Sequence, residues 1–254
     1  MLRPRSRALL VEAISLFEHA LTFDPQSSEA QSRLAQSLVE RVQDKMTESA
    51  MADLARADRL ISEALAASPR SAFAHVVMGR VLQAQTRWEE AVLEFETALA
   101  LDGNLPAASH QLAQAKLITG SIEEVIPLER RAIRLSPRDP GIAWFNSTIA
   151  TVHLLQSRTD EAIILLEKVR SAIPAAPGPR SRLAAAYALR GEFDRAASEL
   201  AEVRNLAGGG QYSSLAHMKA AGYAGSTSWG IPTIRALFEA TYFAGLRLAG
   251  MPEE

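Results

Sequence analysis

Histidine is the first residue type to weigh for chemistry, because imidazole binds metals and carries protons near neutral pH. The chain has five, His19, His75, His110, His153 and His217, and no pair shows the H-x-x-x-H spacing that puts two ligands on one helix face. Cysteine is absent, which removes thiol nucleophiles, disulfides and every zinc site that needs thiolate. The histidines are therefore read as packing or surface residues, with no metal and no cofactor. Gly208-Gly209-Gly210 could cradle a phosphate, yet no Lys-Ser or Lys-Thr follows it and no strand is predicted before it. A helix stop and hinge accounts for it. The pairs Glu89-Glu90, Glu123-Glu124 and Asp160-Glu161 could serve as general acid and base. Each falls in the first turn of a predicted helix, where free amides and the macrodipole favour carboxylates. Asn146-Ser147-Thr148 matches a glycosylation sequon, but it lies within a predicted helix and is assigned no function. No catalytic constellation remains, and the chain reads as a non-enzyme.

Composition supports a helical reading and narrows the partners. The 254 residues are 48% hydrophobic and 22% charged, with only 6% aromatic, which favours helix over strand. Lys plus Arg number 27 against 29 Asp plus Glu, a net charge of −2, so no global basic field attracts nucleic acid or an anionic membrane. Apolar runs such as Ala8 to Val11 and Ile163 to Leu166 fall far short of a membrane helix, and no secretory signal is read. The expected location is cytoplasmic.

The elements that would position any site emerge from a repeat. Helix terminators stand at Pro25, Pro69, Gly103, Pro137, Pro174 and Gly208, spaced 44, 34, 34, 37 and 34 residues apart. Twelve residues before each stand Ala13, Ala57, Ala91, Val125, Ala162 and Ala196, mostly small, as close helix crossing requires. Apolar residues between them recur at helical spacing, as in Ala13 to Asp24, Ala91 to Asp102 and Val125 to Ser136. A second helix precedes each of these, marked by a large apolar residue followed by Gly or Ala: Met78-Gly79, Leu112-Ala113, Ile149-Ala150, Leu183-Ala184. Thr86 with Glu89 and Ser121 with Glu124 predict capping boxes, and Gly120 and Gly191 predict helix ends.

These residues resemble the tetratricopeptide repeat, a 34-residue helix-turn-helix unit. The resemblance implies an all-α fold, a right-handed superhelix or solenoid of about five helix pairs. An N-terminal half-repeat would span 5–25, with its first helix over Arg5 to Phe23. Repeats follow at about 28–71, 72–105, 106–142, 143–176 and 177–210, and a C-terminal helical cap at 211–254. Departures are about ten extra residues around Gln43 to Asp53, about three around Asp139 to Ile142, and Pro127 inside a helix. Together with Ser121 to Pro140 and Val152 to Ile163, the tail is also similar to the repeat-bearing C-terminal half of bacterial class III adenylate cyclases and winged-helix regulators. Neither the catalytic nor the DNA-binding domain of that family is read in this chain, so none of its functional residues transfers. Ser226 to Trp229 reads as an insertion relative to that family.

Stacked repeats present a face lined by the first helix of each pair. If Met78-Gly79 and their equivalents face the partner helix, the other side carries Phe73, Val76, Arg80, Gln83, His110, Gln114, Leu117, Trp144, Thr151, Leu154, Ser181 and Ala185. The candidate peptide groove is therefore Phe73, Arg80, Gln83, His110, Gln114, Trp144 and Thr151, with Arg80 its clear cation. One cation is too few to clamp acidic peptide termini. The expected function is a non-catalytic protein-protein interaction scaffold that binds a peptide or protein segment there. The alternative is the detached regulatory repeat half of a cyclase-like signalling protein or winged-helix regulator. In the tail, Pro232 to Ala249 is predicted as a helix with an apolar stripe through Ile234, Leu237, Phe238, Thr241, Tyr242 and Leu246. Together with Tyr212 to Tyr223 it is expected to fold back onto the fifth repeat near Leu200 and Val203 in a monomer, a dimer through this helix being the alternative.

Overall fold

The computed structural model describes residues 7–44, 46–208, 210–223 and 229–254. Of the expectations above, those on Arg5, Gly209 and Ser226 to Ser228 lie outside the described residues. The fold is the expected all-α helical repeat, and the described residues contain no strand. The helices are α1 (Arg7–Phe23), α2 (Ser28–Gln43), α3 (Ala50–Ala67), α4 (Ala72–Ala84), α5 (Trp88–Leu101), α6 (Pro106–Thr119), α7 (Ile122–Leu135), α8 (Ile142–Leu155), α9 (Thr159–Ala172), α10 (Pro177–Leu189) and α11 (Phe193–Ala207). The tail follows with a 3₁₀ turn (Gly210–Tyr212), α12 (Leu215–Ala221) and α13 (Pro232–Phe238), which runs through a π turn (Glu239–Phe243) into α14 (Ala244–Leu248).

Hairpin partners make the most extensive contacts: α2 with α3, α4 with α5, α8 with α9, α10 with α11. The even-numbered first helices carry the small residue after the large one, and the odd-numbered second helices carry the small residue near their start. Ala57, Ala91, Val125, Ala162 and Ala196 are all completely buried. At Gly79 an added Cβ would come 2.4 Å from the Phe95 ring, so only hydrogen lets α4 lie this close to α5. These positions fix the repeat period because any larger side chain would hold the helices of a pair apart. The extra residues around Gln43 to Asp53 lengthen the helices on either side: α2 has 16 residues and α3 has 18, against 13 and 14 in α4 and α5. Arg41 closes this longer hairpin on the buried carboxylate of Asp53.

The capping boxes are a correction. Thr86 lies outside α5 in the left-handed region (φ 64), Arg87 is the N-cap, and no side chain caps that helix. Ser121 is the N-cap of α7, but Glu124 N–H bonds its backbone oxygen, at 3.1 Å, and not its hydroxyl. The chain must reverse within a few residues after each first helix, and a left-handed residue makes that turn at Thr86, Gly120, Ser157 and Gly191 alike. Side-chain caps occur instead at Ser27, Ser71 and Ser214, whose hydroxyls accept from the amides of Ala30, Ala74 and His217.

The chain divides into two compact units, the first ending at Ala115 and the second covering Lys116–Glu254. In the first, Leu10 and Ile14 of α1 join Leu34, Leu38, Ile61 and Val81 in one apolar core. In the second, the tail is part of the same body as the repeats it covers.

Candidate functional site

Within the first unit, the expected groove residues come from α4 and the first part of α6. Phe73 is partly buried under the Arg33 guanidinium, which lies 4.1 Å from its ring centroid. Arg80, expected as the cation offered to a ligand, is instead buried at 9% exposure. Its guanidinium donates to Glu40 Oε1 at 3.0 Å and to Gln43 Oε1 at 2.7 Å, both on α2. A charge on a face between adjacent first helices is desolvated by its neighbours, so the stable arrangement gives it a carboxylate and an amide. Arg80 thus ties α4 to α2. Gln83 is buried as well, at 3%. His110 and Gln114 are partly buried, one helical turn apart, with Gln114 Nε2 3.2 Å from His110 Nε2.

In the second unit its own first-helix face divides into an open and a covered part. Trp144, at the start of α8, keeps 48% of its surface exposed. Thr151 is buried and its hydroxyl donates to Ser147 O at 2.8 Å, so it offers no ligand contact. Leu154, Ser181 and Ala185 are also buried. What covers this face is the tail helix, which packs on α10 of the fifth repeat, as expected, and also on α8, while the 3₁₀ turn before α12 meets α11. Its apolar stripe supplies the seat: Ile234, Phe238, Thr241, Tyr242 and Leu246 are buried, while Leu237 is partly so.

Two details explain the choice of seat. Gly245 lies on Ala185 so closely that an added Cβ would come 2.5 Å from the Ala185 carbonyl oxygen. The Tyr242 hydroxyl meets the Ser181 hydroxyl at 2.6 Å, and burial pushes the phenol pKa far above its ordinary value. Around these contacts Tyr223, Trp229, Phe238, Tyr242 and Phe243 form one aromatic cluster, with Trp229 and Phe238 centroids 4.8 Å apart. Trp229 Nε1 donates to Lys219 O at 3.0 Å. Ile231 N–H bonds Ile118 O at 3.0 Å, carrying the tail onto the end of α6. The chain end is held too, because the free amides of Leu215 and Ala216 at the start of α12 bond Pro252 O and Glu253 O, each at 2.9 Å. Sequence reasoning found the stripe and the repeat it covers but not the helices of the seat; the signal that could have found α10 is Gly245, a glycine facing inward in an otherwise apolar helix.

Several of the remaining titratable candidates have structural partners. His75 Nδ1 lies 2.6 Å from Glu94 Oε2, and His217 Nδ1 lies 2.7 Å from the Ser214 hydroxyl. His19 stacks edge-on against Phe23. Burial lowers the pKa of His153. Glu90 pairs with Arg87, Glu124 with Lys116 and Asp160 with Arg190. Among the described residues no group of three or more His, Asp or Glu is placed to hold a metal ion, and no helix is long and apolar enough to cross a membrane.

No protein-family model and no curated protein matches the chain. Solved structures do. A Pseudomonas aeruginosa protein, PilF, is similar with a TM-score of 0.61 at 20% identity, over 81% of this chain and 88% of that one. YrrB, described as a TPR protein with an unusual peptide-binding site, matches with a TM-score of 0.53 at 18% identity, over 76% and 93%. TTC0263, a thermophilic TPR protein of Thermus thermophilus, matches with a TM-score of 0.54 at 20% identity, over 68% and 92%. With its paired helices, small crossing residues and left-handed hairpin turns, the chain has the fold of the tetratricopeptide-repeat proteins.

Proposed function

We propose that the chain is a non-catalytic interaction scaffold that binds a peptide or protein segment on the first-helix face of its second unit, at the part its own tail leaves uncovered. The observation that carries this reading is Trp144. It stands nearly half exposed on α8 while Thr151 and Leu154 on the same helix face are buried, so an aromatic anchor is open beside a rigid wall. Phe73, His110 and Gln114 are the partly exposed members of the face in the first unit. Arg80, Gln83 and Thr151 act as supports, since each is spent on packing within the fold. Peptide binding by a protein of this fold has precedent in the description of YrrB. In this reading the chain works as a monomer, with its tail satisfied in cis, and takes neither nucleic acid nor membrane as partner. The narrower reading, a regulatory repeat half of a cyclase-like or winged-helix signalling protein, rests on the resemblance of the tail.

Selection of a 12-residue peptide library displayed on phage against the intact chain tests the proposal. Selected peptides should lose about tenfold or more in affinity with Trp144→Ala, in line with an interface anchor, and nothing with Leu93→Ala on the exposed side of α5. Equal affinities for both variants would reject the groove. Cyclic-nucleotide formation or ATP hydrolysis by the purified chain, abolished by a point mutation within it, would reject the non-catalytic reading.

A further inference from the structure

Arginines of the second unit that are partly withdrawn from water meet carboxylates. Arg170 and Arg180 share Glu199, and Arg247 takes Glu239 and Glu253. Withdrawing a guanidinium from water costs free energy, and a carboxylate offsets much of it. Arg182, partly buried on α10, has no such partner among the described residues. Its Nη1 donates to the Ser147 hydroxyl at 3.3 Å, its buried Nε has no acceptor, and the Tyr223 ring centroid lies 5.4 Å from its guanidinium carbon. A neutral hydroxyl and an aromatic face leave the charge largely uncompensated. The fold therefore gains little from a cation at this position.

What surrounds Arg182 belongs to the open part of the first-helix face. Ser147 stands one helical turn after Trp144 on α8, the aromatic residue that keeps nearly half its surface exposed, so the two side chains leave the helix about 5 to 6 Å apart. On the other side Gly178, one turn before Arg182 on α10, keeps a space free. A Cβ added there would lie 3.3 Å from the Tyr212 hydroxyl and 3.8 Å from Arg182 Nη1, so a phenol and a guanidinium border one spot. We propose that Arg182 receives the carboxylate of an Asp or Glu side chain in the bound segment, with the Tyr212 hydroxyl as a second donor. This rests on the reading that a segment binds beside Trp144. A single guanidinium matches one carboxylate in charge and geometry, whereas a doubly charged phosphate would be left half neutralised. In an extended segment, residues two positions apart share a side and lie about 7 Å from each other. The acidic residue should therefore stand two positions from the apolar residue that meets Trp144.

The probes are 12-residue peptides selected from the phage library on the intact chain, made synthetically and titrated by fluorescence anisotropy. They should carry Asp or Glu two positions from an apolar residue, and the matching Asn or Gln should weaken binding about tenfold or more. Arg182→Gln should weaken the acidic peptide by as much and erase the difference between it and its amide counterpart, while Arg182→Lys keeps part of that difference. Selection on Arg182→Glu should replace the acidic residue with Lys or Arg. Since the charge has no carboxylate within the fold, Arg182→Gln should leave the melting temperature unchanged or raise it. Leu93→Ala on α5 should alter none of these readings. A loss with Trp144→Ala while Arg182→Gln binds normally would overturn the carboxylate assignment and leave the groove reading standing. Equal losses of acidic and amide peptides with Arg182→Gln, or a lowered melting temperature, would overturn it by making the residue a structural support. No selected peptide, or no loss with either Trp144→Ala or Arg182→Gln, would overturn both readings.

Discussion

Helices α1 and α10 each carry an apolar face that the repeat helices next to them do not cover. On α10 that face is closed: Ser181 and Ala185 have no exposed surface, and Tyr242 and Gly245 of the tail lie directly upon them. On α1 it is open, with Leu16 and Phe23 mostly in solvent. The difference lies in what packs on each face among the described residues. A repeat buries its apolar surface only against a neighbouring element. At α10 the chain supplies one that is unlike any repeat. Its core is aromatic where theirs is Ala and Leu, and its helix passes through a π turn at Glu239–Phe243. That turn lets Phe238, Tyr242 and Phe243 share one cluster while Leu246 and Gly245 keep facing α10.

The largest test of this contrast makes the closed face resemble the open one. Deleting residues 229–254 should lower the melting temperature by more than about 10 °C and promote aggregation, since it bares α8 and α10 together. A soluble truncation that melts like the intact chain would show that the tail contributes nothing. Within the intact chain, Gly245→Leu should destabilise by about 1 to 3 kcal/mol or more, because its side chain meets the backbone of Ala185. Chemical denaturation reads the change, and an unaltered midpoint would misplace the seat.

A matched pair compares the two kinds of second helix. Ala91→Trp should destabilise by about 1 to 3 kcal/mol, as volume added at a closed crossing does, and Ala13→Trp by less than half as much. Equal losses would mean that α1 is as tightly covered as α5. Smaller still is Thr86→Gly. A β-branched residue is strained at φ 64, where the equivalent turns use Gly120 and Gly191, so relief should outweigh the added chain entropy and stabilise by up to about 1 kcal/mol. A drop in melting temperature would mean that the Thr86 side chain has a role in the hairpin.

The smallest effect concerns pH. Burial lowers the His153 pKa below its ordinary 6.5, helped by Arg158 and Arg130 and opposed by Glu161. The unfolded chain then takes up this proton at a higher pH than the folded one, so stability falls as pH drops through 6.5 towards the folded value. His153→Gln should flatten that part of the stability profile. An unchanged slope would leave the acid sensitivity to other groups.

Much of the repeat could be read directly from the sequence. Helix identity is carried by apolar residues at three- and four-residue steps, and hairpin pairing by the small residues at Gly79 and Ala91, whose spacing repeats because close crossing recurs once per unit. Both signals are local. The turns were less legible, since a hydroxyl followed by Glu three residues on, as at Thr86 and Ser121, is compatible with a cap and with a left-handed reversal. The candidate site was legible only as a face. Phase along a helix says that Arg80 and Thr151 point away from the partner helix, but a residue pointing away from one neighbour can still be buried by the next.

By itself, then, the amino-acid order determined the all-α repeat, its period, the faces of its helices and an apolar tail helix that had to be covered. Tertiary structure alone decided which surfaces stayed open. Arg80 is removed from the groove by Glu40 and Gln43, some forty positions earlier, and Ser181 is closed by Tyr242, sixty-one positions later. Periodicity records which residues share a face because that depends on helix geometry over a few residues. Which of two apolar faces a non-repeating segment covers depends on shape over many, here on whether a glycine can come down onto the backbone at Ala185.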